Sequence, residues 1–126
     1  MKYKILSGKL KGETIELEEV KDYQKTVIER KELEWSDSSS EPMTWEQAQE
    51  WAKSLGNSWR LPTISELQSA FDYEKGEARI DGFVAGDYWS SVTVPSSSAN
   101  AYYVNMYNGL VGYFPKSFYK YVRCVR

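Results

Sequence analysis

Tyr88-Trp89-Ser90-Ser91, Ala101-Tyr102-Tyr103-Val104-Asn105-Met106 and Tyr121-Val122-Arg123-Cys124-Val125-Arg126 belong to one stretch, residues 88–126, whose reading decides the fold. Large and small residues alternate through it, the period of a β-strand. Tyr107-Asn108-Gly109 interrupts the alternation with a hairpin signal, because Asn-Gly accepts the positive φ angles of tight turns. Of the 34 residues from Tyr88 to Tyr121, seven are Tyr, six are Ser and three are Asn. Tyr brings a large rigid contact area with few torsions to freeze, and Ser and Asn bring adaptable hydrogen bonds. Such a composition predicts strands that carry a binding surface.

Working outward, the residues before this stretch supply two helices. Thr44 and Gln47 have capping-box spacing, and Trp45, Ala48, Trp51, Ala52 and Leu55 recur on one helical face up to Gly56, a helix stop. Thr63 and Glu66 repeat the box, with Ile64, Leu67, Ala70 and Phe71 as the apolar face. Between them Trp59-Arg60-Leu61-Pro62 forms a fixed corner, since Pro62 holds Leu61 extended. Residues 72–87 carry three Gly and mixed charge and are expected to be a long irregular connection. Ahead of the helices, residues 1–29 alternate on either side of Gly8-Lys9-Leu10-Lys11-Gly12, which predicts an added β hairpin. Residues 23–35 extend further, and 36–42 are loop by composition. The layout is α+β: a single domain, 1–126, with 1–29 as an extra element and 30–126 as the main body.

The bulk properties narrow the function. The chain has 126 residues, 41% of them hydrophobic, enough for one domain with a core. No apolar run approaches the ~18 residues of a membrane span, and Ser7-Gly8-Lys9 interrupts any signal-peptide centre. Membrane insertion is therefore not expected, and a cytoplasmic or phage- or virion-associated location is, with surface display as an alternative. The single cysteine excludes an internal disulfide, and the absence of His removes the commonest general base and transition-metal ligand. No cofactor and no metal are expected. From Glu13 to Glu50 there are twelve acids and four bases, whereas Leu110–Arg126 holds Lys116, Lys120, Arg123 and Arg126 and no acid. Four bases fall short of a nucleic-acid footprint. Opposite charges lying side by side account for the asymmetry equally well.

Taken in order, Met43-Thr44-Trp45-Glu46-Gln47-Ala48, Trp59-Arg60-Leu61-Pro62-Thr63, Glu66-Leu67, Tyr88-Trp89-Ser90-Ser91 and Tyr121-Val122-Arg123-Cys124-Val125-Arg126 resemble the C-terminal domain family of the Legionella collagen-like proteins, a domain of unknown function. The resemblance covers about residues 30–126. It implies a C-type-lectin-like fold, two helices packed on a twisted antiparallel sheet with the chain ends meeting, and a ligand-binding role in adhesion more than a catalytic one. The same fold serves the variable proteins of diversity-generating retroelements, whose randomised residues favour Asn, Tyr and Ser. Many relatives pair a helix cysteine with one near the C-terminus. Here the matching region is Trp51-Ala52, which leaves Cys124 without a partner and favours a reducing compartment.

Each candidate site has a structural counterpart. Trp45, Trp51, Trp59 and Trp89 can stack on sugar rings, but their motif positions suit a core. Arg60 can bind an anion, but is expected to fix its corner through carbonyls or a carboxylate. Asp81 and Asp87 with Glu74 and Glu77 lack the spacing of a calcium loop. Glu46, Glu50 and Glu66 suit caps and exposed faces better than a catalytic carboxylate pair, and Cys124 suits a buried strand. The contact surface is expected at Asn100, Tyr103, Asn105, Tyr107, Asn108, Tyr113, Ser117 and Tyr119. Tyr103, Asn105 and Tyr107 share the strand face expected to meet solvent. Trp89, Val104, Met106, Val122 and Cys124 are expected as scaffold. The function read from the sequence is non-catalytic recognition of a protein or glycan. The alternatives are a carbohydrate-active enzyme using Glu and Asp, and a structural or assembly domain of a phage or cell-surface complex.

Overall fold

Thr44 and Thr63 start the two helices as their spacing requires. In the computed structural model, which describes residues 32–126, helix α1 spans Trp45–Leu55 and helix α2 spans Ile64–Ser69. Each Thr hydroxyl accepts from the amide three residues on, and the Gln47 and Glu66 side chains accept from the Thr amides. A cap of this kind stabilises a helix by about 1 kcal/mol, a large share of what a six-residue helix has. Gly56, at φ 68°, ends α1. Phe71, expected on the second helical face, instead begins a strand, because α2 stops at Ser69. The hairpin expected over residues 1–29 lies outside the described residues.

Five strands follow: β1 (Phe71–Asp72), β2 (Glu77–Ala78), β3 (Asp87–Val94), β4 (Ser97–Asn105) and β5 (Val111–Pro115). β1 and β2 form a two-stranded ribbon inside the segment expected to be wholly irregular. Asp72 makes that ribbon possible: its carboxylate accepts from the Glu74 and Lys75 amides and its carbonyl from Gly76, closing a tight turn. β3, β4 and β5 form an antiparallel sheet in that order. Among the described residues, two antiparallel sheets and two helices make an α+β fold.

The β3–β4 register shifts after Trp89, and Ser90 organises the irregularity. Its buried hydroxyl donates to the Tyr102 carbonyl and accepts from the Val92 amide. Its carbonyl takes the Trp45 indole N–H, and the neighbouring Ser91 amide donates to Pro62. The bulge thus fastens the sheet to α1 and to the Leu61-Pro62 corner.

Residues 34–43 and 120–126 run antiparallel, tied by amide bonds from Glu34 to Arg126, Ser36 to Cys124, Ser39 to Val122 and Met43 to Lys120. The closing segment also exchanges amide bonds with Arg60 through Val125, and with Asp87 and Trp89 through Tyr121. It therefore joins the start of the unit Leu33–Arg126, the interhelix corner and β3.

Two clusters form the core, one on each face of the sheet. Ala48 and Ala52 of α1 pack with Leu61, Trp89, Ala101, Val122 and Cys124. Leu67 of α2 packs with Ala70, Phe71, Tyr88, Val104 and Met106. The scaffold expected from the sequence, Trp89, Val104, Met106, Val122 and Cys124, is buried throughout. Removing each such side chain from water contributes about 1.5–3 kcal/mol.

Candidate functional site

β4 has no free face over residues 101–106, and this reshapes the expected contact surface. Ala101 points into the α1 cluster with Tyr103 packed against it, while Val104 and Met106 point into the α2 cluster. Tyr103, expected to meet solvent, is half-buried. Its ring lies under the Lys120 ammonium at 3.9 Å and edge-on to Phe114 at 6.1 Å. Burial, with the nearby Asp87 carboxylate, raises its phenol pKa. Asn105 is half-buried as well and serves the loop that follows. Its carbonyl oxygen accepts from the Tyr107 and Asn108 amides, and its amide nitrogen donates to Asp87 at 2.7 Å.

That loop, residues 106–110, is wider than a two-residue hairpin turn. Gly109 has positive φ, 79°, and Asn108 does not. Asn108 instead accepts from the Leu110 amide through its side chain. The loop is held against the ribbon by the Tyr73 hydroxyl, which donates to the Gly109 carbonyl at 2.7 Å. Tyr107 stands out from it, 71% exposed.

Among the described residues β5 is an outer strand of its sheet, and its side chains divide between two faces. Tyr113 meets Tyr102 edge-on at 6.1 Å on one face. Phe114 meets Tyr103 and, at 5.0 Å, Phe118 on the other. Tyr113 is 58% exposed, Phe118 50% and Tyr119 66%. Of the eight residues expected as a contact surface, Tyr107, Asn108, Tyr113, Ser117 and Tyr119 are exposed, and Asn100, Tyr103 and Asn105 are half-buried. Asn100, which donates to Ser97, shares the Tyr113 face, whereas Tyr103 and Asn105 share the other. They do not form one patch. Sequence reasoning weighted Tyr, Ser and Asn and so missed Leu110, Val111, Phe114 and Phe118, all exposed. Phe114-Pro115-Lys116-Ser117-Phe118, an apolar pair around a turn next to an edge strand, was the signal available.

The basic tail is not a cationic patch. Lys116 lies 4.1 Å from the Trp45 ring centroid, Arg123 4.5 Å from Phe83, and Arg126 4.4 Å from Trp59. Lys120 pairs with Asp87 at 2.8 Å and Arg126 with Glu34 at 2.6 Å. Arg123 is buried, which lowers its pKa, and donates to the carbonyls of Ser36 and Asp81. Each base is held on an aromatic ring, an attraction of about 0.5–2 kcal/mol.

The remaining candidates have structural partners. Arg60 makes a bidentate pair with Glu66, both bonds 2.9 Å, as expected of a corner-fixing arginine. The Arg60 hydrogen bond holds the Glu66 carboxyl below its ordinary range. Asp87, weighed as a calcium ligand, is engaged by Lys120 and Asn105. Cys124 belongs to the same buried cluster as Ala52, and burial pushes its thiol up to about 12. Glu46 and Glu50 are exposed on the outer side of α1, where with Trp51 and Tyr119 they line a wide groove.

Among the described residues no helix is long and apolar enough to cross a membrane. A comparison with curated proteins finds no match. Residues 25–126 match the model of the Lcl C-terminal domain, so this chain, with its capped helix pair, closing Tyr-Val-Arg-Cys segment and aromatic edge strand, belongs to the Legionella collagen-like protein C-terminal domain family.

Proposed function

We propose that the protein is a non-catalytic recognition domain of C-type-lectin-like fold that holds a protein or glycan ligand on the surface around β5. One observation carries this reading. Tyr107, Leu110, Tyr113, Phe118 and Tyr119, on the loops and strand of one sheet edge, are each half exposed or more. Apolar side chains gathered in water at this density mark contact with another molecule, and Tyr holds such contacts at low entropic cost. The two helices beside an antiparallel sheet, and the pairing of residues 34–43 with 120–126, support the fold assignment. The engagement of Glu66 and Asp87 by basic partners and the burial of Cys124 support a binding role over catalysis. The Tyr, Ser and Asn bias of residues 88–121 supports membership among the variable proteins of diversity-generating retroelements; an adjacent reverse-transcriptase gene with a near-repeat of this segment is the expected genomic sign.

The direct test is a glycan and protein array probed with the full chain and with the Tyr107→Ala/Tyr113→Ala/Tyr119→Ala variant. The expected outcome is a bound ligand that the variant loses while Tm moves by only a few degrees, since exposed substitutions cost about 0.5 kcal/mol or less each. Binding that survives the triple change would overturn the proposal. So would cleavage of an arrayed glycan.

A further inference from the structure

Away from β5, the loop 38–43 and the outer side of α1 enclose a groove of about 1280 Å³. This exceeds the roughly 300–1,000 Å³ of a small-molecule pocket and suits an extended segment. Glu41, Glu46 and Glu50 line it, together with the rings of Trp51 and Tyr119 and the amide of Gln47. Among the described residues no Lys or Arg lines it. Glu50 has Lys53 at 3.8 Å, but both side chains are 76% exposed, and such a pair gives way readily.

The same protein shows what this chemistry holds. Lys120 sits between the Asp87 carboxylate and the Tyr103 ring, and Arg126 between the Glu34 carboxylate and the Trp59 ring. In both places a carboxylate and an aromatic face together grip a cation. The groove is lined by the same two kinds of group, three glutamates and two aromatic residues. Charge complementarity therefore selects the occupant. We infer that the groove is a second binding site, apart from the β5 surface and sharing only Tyr119 with the residues assigned there, and that it takes an extended arginine- or lysine-bearing peptide. The carboxylates pair with the guanidinium or ammonium groups, and the rings stack on them.

Calorimetric titration of the full chain with a hexa-arginine amide tests this. One peptide per chain is expected, with affinity about tenfold weaker for the Glu46→Gln/Glu50→Gln variant. The Glu74→Gln/Glu77→Gln variant removes the same charge from the β1–β2 ribbon and is expected to bind like the unaltered chain. Tyr119→Ala, an exposed position that leaves all charges in place, is expected to weaken binding by about threefold. Absence of binding overturns the inference. Equal losses in the two glutamate variants would do so too, by reducing the effect to net charge. A neutral chitin oligosaccharide that binds the unaltered chain and is lost with Glu46→Gln/Glu50→Gln would replace the peptide with a glycan and likewise overturn it.

Discussion

Lys120 and Asp87 are predicted to be unequal partners, and the inequality can be measured. The Lys120 side chain is 6% exposed and that of Asp87 29%. The ammonium has the carboxylate at 2.8 Å and three rings around it, Tyr103, Phe114 and Trp89, with centroids at 3.9, 4.4 and 5.6 Å. Breaking a buried pair by removing one member costs about 3–5 kcal/mol, mostly from the charge left behind. Asp87→Ala strands a cation out of reach of water and also releases Asn105, so the upper part of that range, about 4–5 kcal/mol, is expected. Lys120→Met keeps the packing of the stem and leaves a carboxylate that retains Asn105 at 2.7 Å and touches solvent. Its cost should be about 2–3 kcal/mol. Urea denaturation of the two single variants and the double variant gives both costs and their coupling, expected at about 2 kcal/mol. Raising the salt should change these values little, since a buried pair is poorly screened. A Lys120→Met variant as unstable as Asp87→Ala, or two costs below about 1 kcal/mol, would refute the reasoning. The pair would then be an ordinary surface contact.

Three other perturbations have definite expected outcomes. A Cβ on Gly109 would lie 2.7 Å from Phe71 Cδ2, on a residue with φ 79°. Gly109→Ala should therefore cost about 2–4 kcal/mol in chemical denaturation, combining left-handed strain with overpacking, and a loss under about 1 kcal/mol would show the loop free to shift. Glu66→Gln keeps an acceptor for the Thr63 cap but loses the charged pair with Arg60, which is half exposed, so about 1 kcal/mol is expected at neutral pH. The Glu66 carboxyl is lowered in the folded protein, chiefly by the Arg60 hydrogen bond, so this stabilisation is complete above the ordinary carboxylate pKa of about 4.3. It fades as pH falls through the lowered value; a gap between wild type and variant that stays constant down to acid unfolding would contradict the assignment. The Cys124 thiol, pushed up to about 12, should react with a thiol-specific disulfide reagent only at the rate of unfolding, and fast labelling of the native protein would place it nearer the surface.

The helices were legible because their signals are local. Thr44–Gln47 and Thr63–Glu66 need only three-residue spacing, and both boxes form. The β1–β2 ribbon was not legible, since strands of two residues carry no alternation. What marks it is the Asx turn at Asp72, which is visible only once Glu74, Lys75 and Gly76 are seen to bond back to it. The Asn108-Gly109 signal announced a turn but not its type. Asn105, three residues upstream, spends its side chain on the Tyr107 and Asn108 amides and opens the turn into a longer loop.

Which residues meet solvent was the least legible part, for a reason that lies in β4. Alternation tells which residues of a strand share a face, but not how many faces the fold covers. Sequence reasoning assumed one covered face and assigned Tyr103 and Asn105 to water. With α1 on one side and α2 on the other, β4 is covered twice, and exposure moves to the next strand out. Composition could not separate Tyr103, pinned under Lys120, from Tyr113, which meets Tyr102 on the opposite face of the sheet. That difference gives an internal control for the proposed function. Tyr103→Ala should lower stability by about 3 kcal/mol through lost packing, whereas Tyr113→Ala should spare stability and weaken ligand capture. If both changes act alike in denaturation, the division of this sheet into scaffold and contact surface is wrong, and the recognition surface has to be sought away from β5.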